Sequence, residues 1–284
     1  MKTEQDHIES IRKYYIDSEK PYRNWGVDLE RPDVYALHCG FHPDGEMIDH
    51  HQSVKLMTQK IIELACIIPG DNVLDAGCGT GSLLFEASES QPEANFFGIN
   101  ISTNQLESAK KYLRTTKLSN TTLSYQDYLY TAFPAGLFDK IIYSESAAHS
   151  QDKLALFLES RRTIKTGGTI VISDAFLNIY PQQNSKDEIL VRNAQDGWVL
   201  PPIPTIESLV ETLSLAGFGE VTVNDITTNI LPSTYIMGAN AAVRLKESSD
   251  AEEKLLKSRQ ACVAADILMR KGILSYFWIT AKSI

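Results

Sequence analysis

The run Asn-Val-Leu-Asp-Ala-Gly-Cys-Gly-Thr-Gly-Ser-Leu, residues 72–83, constrains the fold of this chain more than any other segment. An apolar stretch leads into Asp75. Glycines follow at 77, 79 and 81, and a helix-prone stretch begins at Ser82. Glycine accepts positive φ and lets a ligand approach the main chain, so the run predicts a tight strand-to-helix turn. In open α/β folds such a turn lies at the carboxyl edge of the sheet, where ligands bind.

The pattern downstream extends that architecture. Strands are expected at 72–76, 95–100, 122–125, 140–144, 169–174, 220–226 and 275–281, with helices at 82–88, 102–115, 153–165 and 205–216. This alternation predicts an α/β fold with a parallel sheet covered by helices on both faces. Ser102 and Gln105 form the capping-box pattern that opens the second of those helices. Upstream, Val54, Met57, Ile61 and Ile68 mark an amphipathic helix that ends at Pro69-Gly70.

Two regions break the alternation. Residues 176–202 are polar and Pro-rich, and residues 232–270 read as largely helical. The strands flanking the second region are compatible with a hairpin-like pair. Tyr276 and Trp278 in the last strand are expected to alternate between core and surface. Residues 1–20 read as helical, and 21–47 as a loop with short helical pieces. The expected organisation is therefore a cap at 1–50 and a main domain at 51–284 that carries the two insertions.

Composition narrows the function. The formal net charge of −9 argues against nucleic acid as the main partner, because phosphate binding needs a basic surface. The four cysteines (Cys39, Cys66, Cys78 and Cys262) show neither zinc-ligand spacing nor a disulfide framework, so no metal is expected from them. The first twenty residues are too charged for a signal peptide. No stretch reaches the ~20 apolar residues that span a bilayer. A soluble, cytoplasmic protein is expected, and apolar faces on the insertions are compatible with a homo-oligomer.

Two kinds of ligand suit the glycine turn. A dinucleotide fingerprint wants its third glycine one residue later than Gly81 and an acid at the end of the second strand, where Asn100 stands. The string Asp-Ala-Gly-Cys-Gly-Thr-Gly instead resembles motif I of class I S-adenosylmethionine-dependent methyltransferases. That resemblance implies a Rossmann-like methyltransferase fold with a mostly parallel seven-stranded sheet and helical lid insertions. It also implies S-adenosylmethionine as cofactor, bound by Asp75, Gly77, Cys78, Gly79, Asn100, Ile101, Gln105, Asp127, Tyr128 and Ser144. Gln105 also serves the capping box, and Asp127 sits where such enzymes meet the adenine amino group.

Residues 98–109 resemble the subgroup containing sterol, tocopherol and cyclopropane-fatty-acid methyl-transfer enzymes, and residues 138–153 resemble the sterol, tocopherol and prenyl-diphosphate C-methyltransferases. In the second segment Glu145 follows the fourth strand and His149 lies four residues on. Both are implied catalytic residues. A carboxylate has a clear use there, because an alkene that attacks a sulfonium methyl group becomes a carbocation, which an anion and aromatic faces stabilise. The same carboxylate can then accept a proton. Glu145 also suits a capping role or a bond to the cofactor amine, and His149 a structural one.

Tyr14, Tyr22, Trp25, Tyr35, His38 and Trp198 are the candidate substrate-lining residues, although each also suits core packing. Arg12, Lys13, Lys20, Arg23 and Arg31 are candidates for a substrate diphosphate, and only such a substrate implies Mg2+. The expected activity is C-methylation of an alkene carbon in a small lipophilic isoprenoid or prenylated acceptor. The alternative is N- or O-methylation of a small natural product.

Overall fold

A computed structural model describes residues 4–26, 31, 33–247 and 253–284. Seven strands form one sheet: β1 (Asn72–Ala76), β2 (Asn95–Asn100), β3 (Thr121–Tyr125), β4 (Phe138–Ser144), β5 (Ile164–Leu177), β6 (Phe218–Asp225) and β7 (Leu274–Ser283). Their order is β3-β2-β1-β4-β5-β7-β6. The first five are parallel, and β7 runs antiparallel to both β5 and β6. The order reverses at β1, so the turn after β1 opens onto the switch-point crevice.

Local chemistry sets several helix starts. Helix α3 (His50–Ala65) begins at Asp49, whose side chain accepts the Gln52 N–H. Helix α4 (Ser82–Ser90) leaves the glycine turn with Gly81 in the left-handed region. Helix α5 (Thr103–Thr115) is capped by Ser102 as the capping pattern implies. Asp152 caps α6 (Lys153–Thr163) and Thr205 caps α8 (Ile206–Leu215) in the same way. The N-terminal helices are α1 (Glu4–Asp17) and α2 (Glu19–Gly26).

Two expectations need correction. Residues 176–202 are not simply an interruption, because Lys186–Trp198 form α7, capped by Ser185. Its buried Val191 and Ala194 are too few to give a clear helical period in the sequence. Tyr276 and Trp278 are both buried, at 1% and 9% exposure, because β7 is an interior strand with both faces covered. The helical region resolves into α9 (Thr227–Glu247) and α10 (Glu253–Arg270), which pack against each other.

The core is split by the sheet. Met57, Ile61, Leu84, Val171 and Tyr276 belong to one apolar cluster, and Phe138, Phe157, Ile172 and Phe218 to the other. Among the described residues no helix is long and apolar enough to cross a membrane.

Candidate active site

A cavity of about 330 Å³ opens above the carboxyl ends of β1, β4 and β5. It is roofed by α1, α2, α7, α9 and α10, which contribute lining side chains from Ile11 to Met269. Its size suits a small-molecule site.

The floor is the glycine turn. Gly77 has φ +90, and a Cβ there would lie 2.6 Å from the Ser146 Cβ, so only glycine fits without displacing the β4 loop. The turn is anchored by the Gly77 and Cys78 N–H groups, both donating to the Ile99 carbonyl. Asp75 ends β1 in the cavity wall, where burial pushes its carboxyl up to about 7.

Asn100 closes the second side of the floor. Its amide nitrogen donates to Gln105 Oε1 at 2.8 Å and to the Gly79 carbonyl at 3.3 Å, and its oxygen accepts the Ser102 N–H. An acid here would face two acceptor oxygens, which explains why an amide replaces the usual carboxylate. Ser144 Oγ is buried beside the turn with no hydrogen-bond partner.

The β4 end carries Glu145 into the cavity wall. Glu145 has φ +47, a conformation costly for a non-glycine residue. Its Oε1 accepts the Cys39 N–H at 2.7 Å and the Tyr276 O–H at 2.9 Å. Burial is the main cause that lifts its carboxyl to about 7, and nearby Asp174 adds to the lift. Asp174 itself rises to about 6 through burial, although it accepts the Ala148 and Ala175 N–H groups.

His149 is buried and held neutral, with its pKa lowered to about 4 by desolvation. Its Nε2 shares a hydrogen bond of 2.8 Å with the Tyr15 hydroxyl, and its carbonyl accepts the His7 Nε2–H at 2.9 Å. These bonds tie α1 to the β4 loop. His38 is also committed, with one ring nitrogen on the Cys39 carbonyl and the other on Thr58 Oγ1, both at 2.9 Å. It therefore braces the Cys39 carbonyl, one peptide beyond the N–H that donates to Glu145.

The cavity brings together seventeen of the eighteen catalytic, cofactor and substrate-lining candidates, including Tyr14, Tyr22, Trp25, Tyr35 and Trp198. Asp127 is the exception. It lines a small adjoining recess of about 30 Å³ with Ile101 and Tyr128, and its Oδ1 accepts the Leu129 N–H. Arg12, Arg23 and Arg31 do not converge on the cavity. They pair with Glu9, Glu19 and the Glu86/Glu89 pair respectively, because acids lie one helical turn away or on α4.

Sequence reasoning missed Asp174 and the hydrogen bonds that Tyr15 and Tyr276 make to His149 and Glu145. Asp174, at the end of the fifth strand, was open to the same edge-of-sheet argument that found Glu145. The other two become visible only when α1 and β7 are placed. Among the described residues no three His, Cys, Asp or Glu side chains converge as a metal site.

A model of a methyltransferase domain matches residues 67–200, which include the turn, Asn100 and Glu145. The chain carries a class I S-adenosylmethionine-dependent methyltransferase domain. An O-methyltransferase, cnsE, of Penicillium expansum is 29% identical to this enzyme over 216 residues, covering 76% of this chain and 73% of the relative. The sterol 24-C-methyltransferase of Pneumocystis carinii is 28% identical over 230 residues, covering 80% of this chain and 60% of the relative. The solved structure of geranyl diphosphate C-methyltransferase from Streptomyces coelicolor A3(2), with Mg2+, geranyl diphosphate and S-adenosyl-L-homocysteine, superposes with a TM-score of 0.71. It covers 94% of this chain and 98% of its own at 19% identity, a likeness of fold.

The floor of the methyltransferase's cavity fits its cofactor. The glycine turn keeps side chains off the main chain, and the orphaned Ser144 hydroxyl and the Asn100–Gln105 amide pair offer polar partners. When bound, S-adenosylmethionine supplies a sulfonium-activated methyl group as the electrophile.

Proposed function

We propose that this methyltransferase transfers its methyl group to an alkene carbon of a small lipophilic isoprenoid or prenylated acceptor. The observation that carries this reading is Glu145, a shielded carboxyl group whose polar neighbours are a peptide N–H, a phenol and a second acid. The rest of the surrounding wall is largely apolar and aromatic.

Each residue has a task in that reaction. The tyrosines of α1 and α2 exclude water and present ring faces, with Tyr14 and Tyr22 sharing a hydrogen bond at 2.7 Å. As the acceptor's π electrons form the new carbon–carbon bond, positive charge develops on the neighbouring acceptor carbon. The ionised Glu145 stabilises that charge electrostatically. It then accepts a proton from the adjacent carbon, whose C–H electron pair forms the product alkene. Asp127, Tyr128 and Ile101 are assigned to the adenine end of the cofactor, and the glycine turn with Asn100 and Gln105 to its ribose and amino-acid portions. His149 positions the cap through Tyr15. Mg2+ enters only if the acceptor carries a diphosphate.

One observation favours a second reading. The relative cnsE is an O-methyltransferase and aligns over three quarters of this chain. In an O-methylation Glu145 would instead take the proton of an acceptor hydroxyl. Incubation with methyl-labelled cofactor and a panel of prenylated indoles, sterols, prenyl diphosphates and phenols decides between them. A new C–CH3 resonance in the product supports the first reading, and an O-methyl or N-methyl resonance overturns it.

A further inference from the structure

The wall of the cavity changes character along α9 and α10. On α9 the lining positions are Thr234, Met237, Asn240, Ala241 and Arg244, which recur at helical spacing. On α10 they run from Met269 and Ala265 through Cys262 to Arg259, Ser258 and Leu255. The helices are antiparallel neighbours. Thr234 Oγ1 donates to Asp266 at one level, and Arg259 Nη1 donates to the Arg244 carbonyl at 3.2 Å at the other. Each stripe therefore carries an arginine towards one end and none at the other, where Thr234, Met237, Ala265 and Met269 stand.

The end away from the arginines is the catalytic end. Ser233, at the start of the α9 stripe, accepts the Gly40 N–H at 2.9 Å, and the preceding Cys39 N–H donates to Glu145. From Ser233 to Arg244 the helix rises roughly 15 Å. The carboxyl groups that line the cavity, Asp75, Glu145 and Asp174, all stand at the sheet end. So the acids and the two arginines lie at opposite ends of one apolar chamber, in a protein whose net charge is −9.

We infer that the acceptor is an amphipathic anion, with a carboxylate or phosphate-ester group held at Arg244 and Arg259 and an apolar body reaching towards Glu145. Guanidinium groups suit both anions through charge-assisted hydrogen bonds. Both arginines also take part in other interactions within the chain. The separation makes a specific statement about the substrate. Its anionic group lies some 10–15 Å from the methylated atom, given the helix rise. A diphosphate directly adjoining the reacting carbon does not match that spacing. The inference rests on the assignment of Glu145 to the reacting end, and its test reads binding rather than turnover.

Equilibrium dialysis in the presence of S-adenosylhomocysteine, with decanoate, decyl phosphate and decanol as probes, tests it. The wild-type enzyme is expected to bind decanoate or decyl phosphate at least about tenfold more tightly than decanol. The stronger of the two anions identifies the head group. The R244Q/R259Q double variant is expected to erase that preference by weakening the anions alone, with S-adenosylhomocysteine binding retained as the sign of an intact fold. Equal wild-type affinity for all three probes, binding of none of them, or equal loss of the anions and decanol in the variant would overturn the inference. An inactive E145Q that still prefers the anions would leave it standing, so the two readings fail separately.

Discussion

Tyr276 donates its phenolic proton to Glu145 across 131 residues of sequence, joining the last strand to the end of the fourth at 2.9 Å. The same phenol lies 3.1 Å from Ser173 Oγ on the strand between them. Together with the Cys39 N–H, this bond fixes one carboxylate oxygen, Oε1.

Replacing Glu145 by Gln removes the anion while keeping the shape. E145Q is expected to bind S-adenosylhomocysteine like the wild type and to lose roughly 100-fold or more in kcat. Single-turnover measurements with calorimetric cofactor binding check this, and near-full turnover would end the proposed role. Y276F should lose about tenfold, because it deletes one hydrogen bond to a charged group.

Turnover should depend on pH through Glu145. With its carboxyl at about 7, kcat is expected to rise with pH across neutrality as the group ionises. In Y276F that limb should move to higher pH, since the phenol's hydrogen bond lowers the Glu145 pKa. A limb that stays in place would show that another group controls it.

Stability should run the other way. Glu145 has a folded pKa of about 7, above its ordinary 4.5, so the folded state holds the proton more tightly. Its contribution is fully present below pH 4.5 and is lost as pH rises through 7, at about 3 kcal/mol in all. Asp75 and Asp174, raised to about 7 and about 6, act in the same sense. E145Q should therefore melt several degrees above the wild type at pH 8 and match it at pH 5. Calorimetric scans at the two pH values provide the comparison, and an equal difference at both would contradict the assignment.

G77A attacks the floor. The added methyl meets the Ser146 Cβ at 2.6 Å, and the φ of +90 disfavours alanine. A loss of roughly 2 kcal/mol in stability is expected, with cofactor affinity falling further than the melting temperature suggests. Chemical denaturation paired with cofactor titration separates the two effects.

Y15F removes the hydroxyl that meets His149 Nε2. If His149 positions the cap, KM for the acceptor should rise about fivefold with kcat little changed. A kcat loss as steep as that of E145Q would instead make the pair part of the chemistry.

The sequence by itself determined the β1–turn–α4 unit, the alternation of the first five strands and the residues that meet at the carboxyl edge. These depend on neighbours a few positions apart, through glycine's φ freedom, helix caps and hydrophobic period. Tertiary structure decided what surrounds them. Only the insertion of β7 between β5 and β6 buries Tyr276 and aims it at Glu145. Only the pairing of α9 with α10 sets Arg244 beside Arg259. The pairing of α7 with α10 likewise turned the polar stretch after β5 into a helix. Such contacts join distant segments through sheet order and packing, which no local pattern encodes.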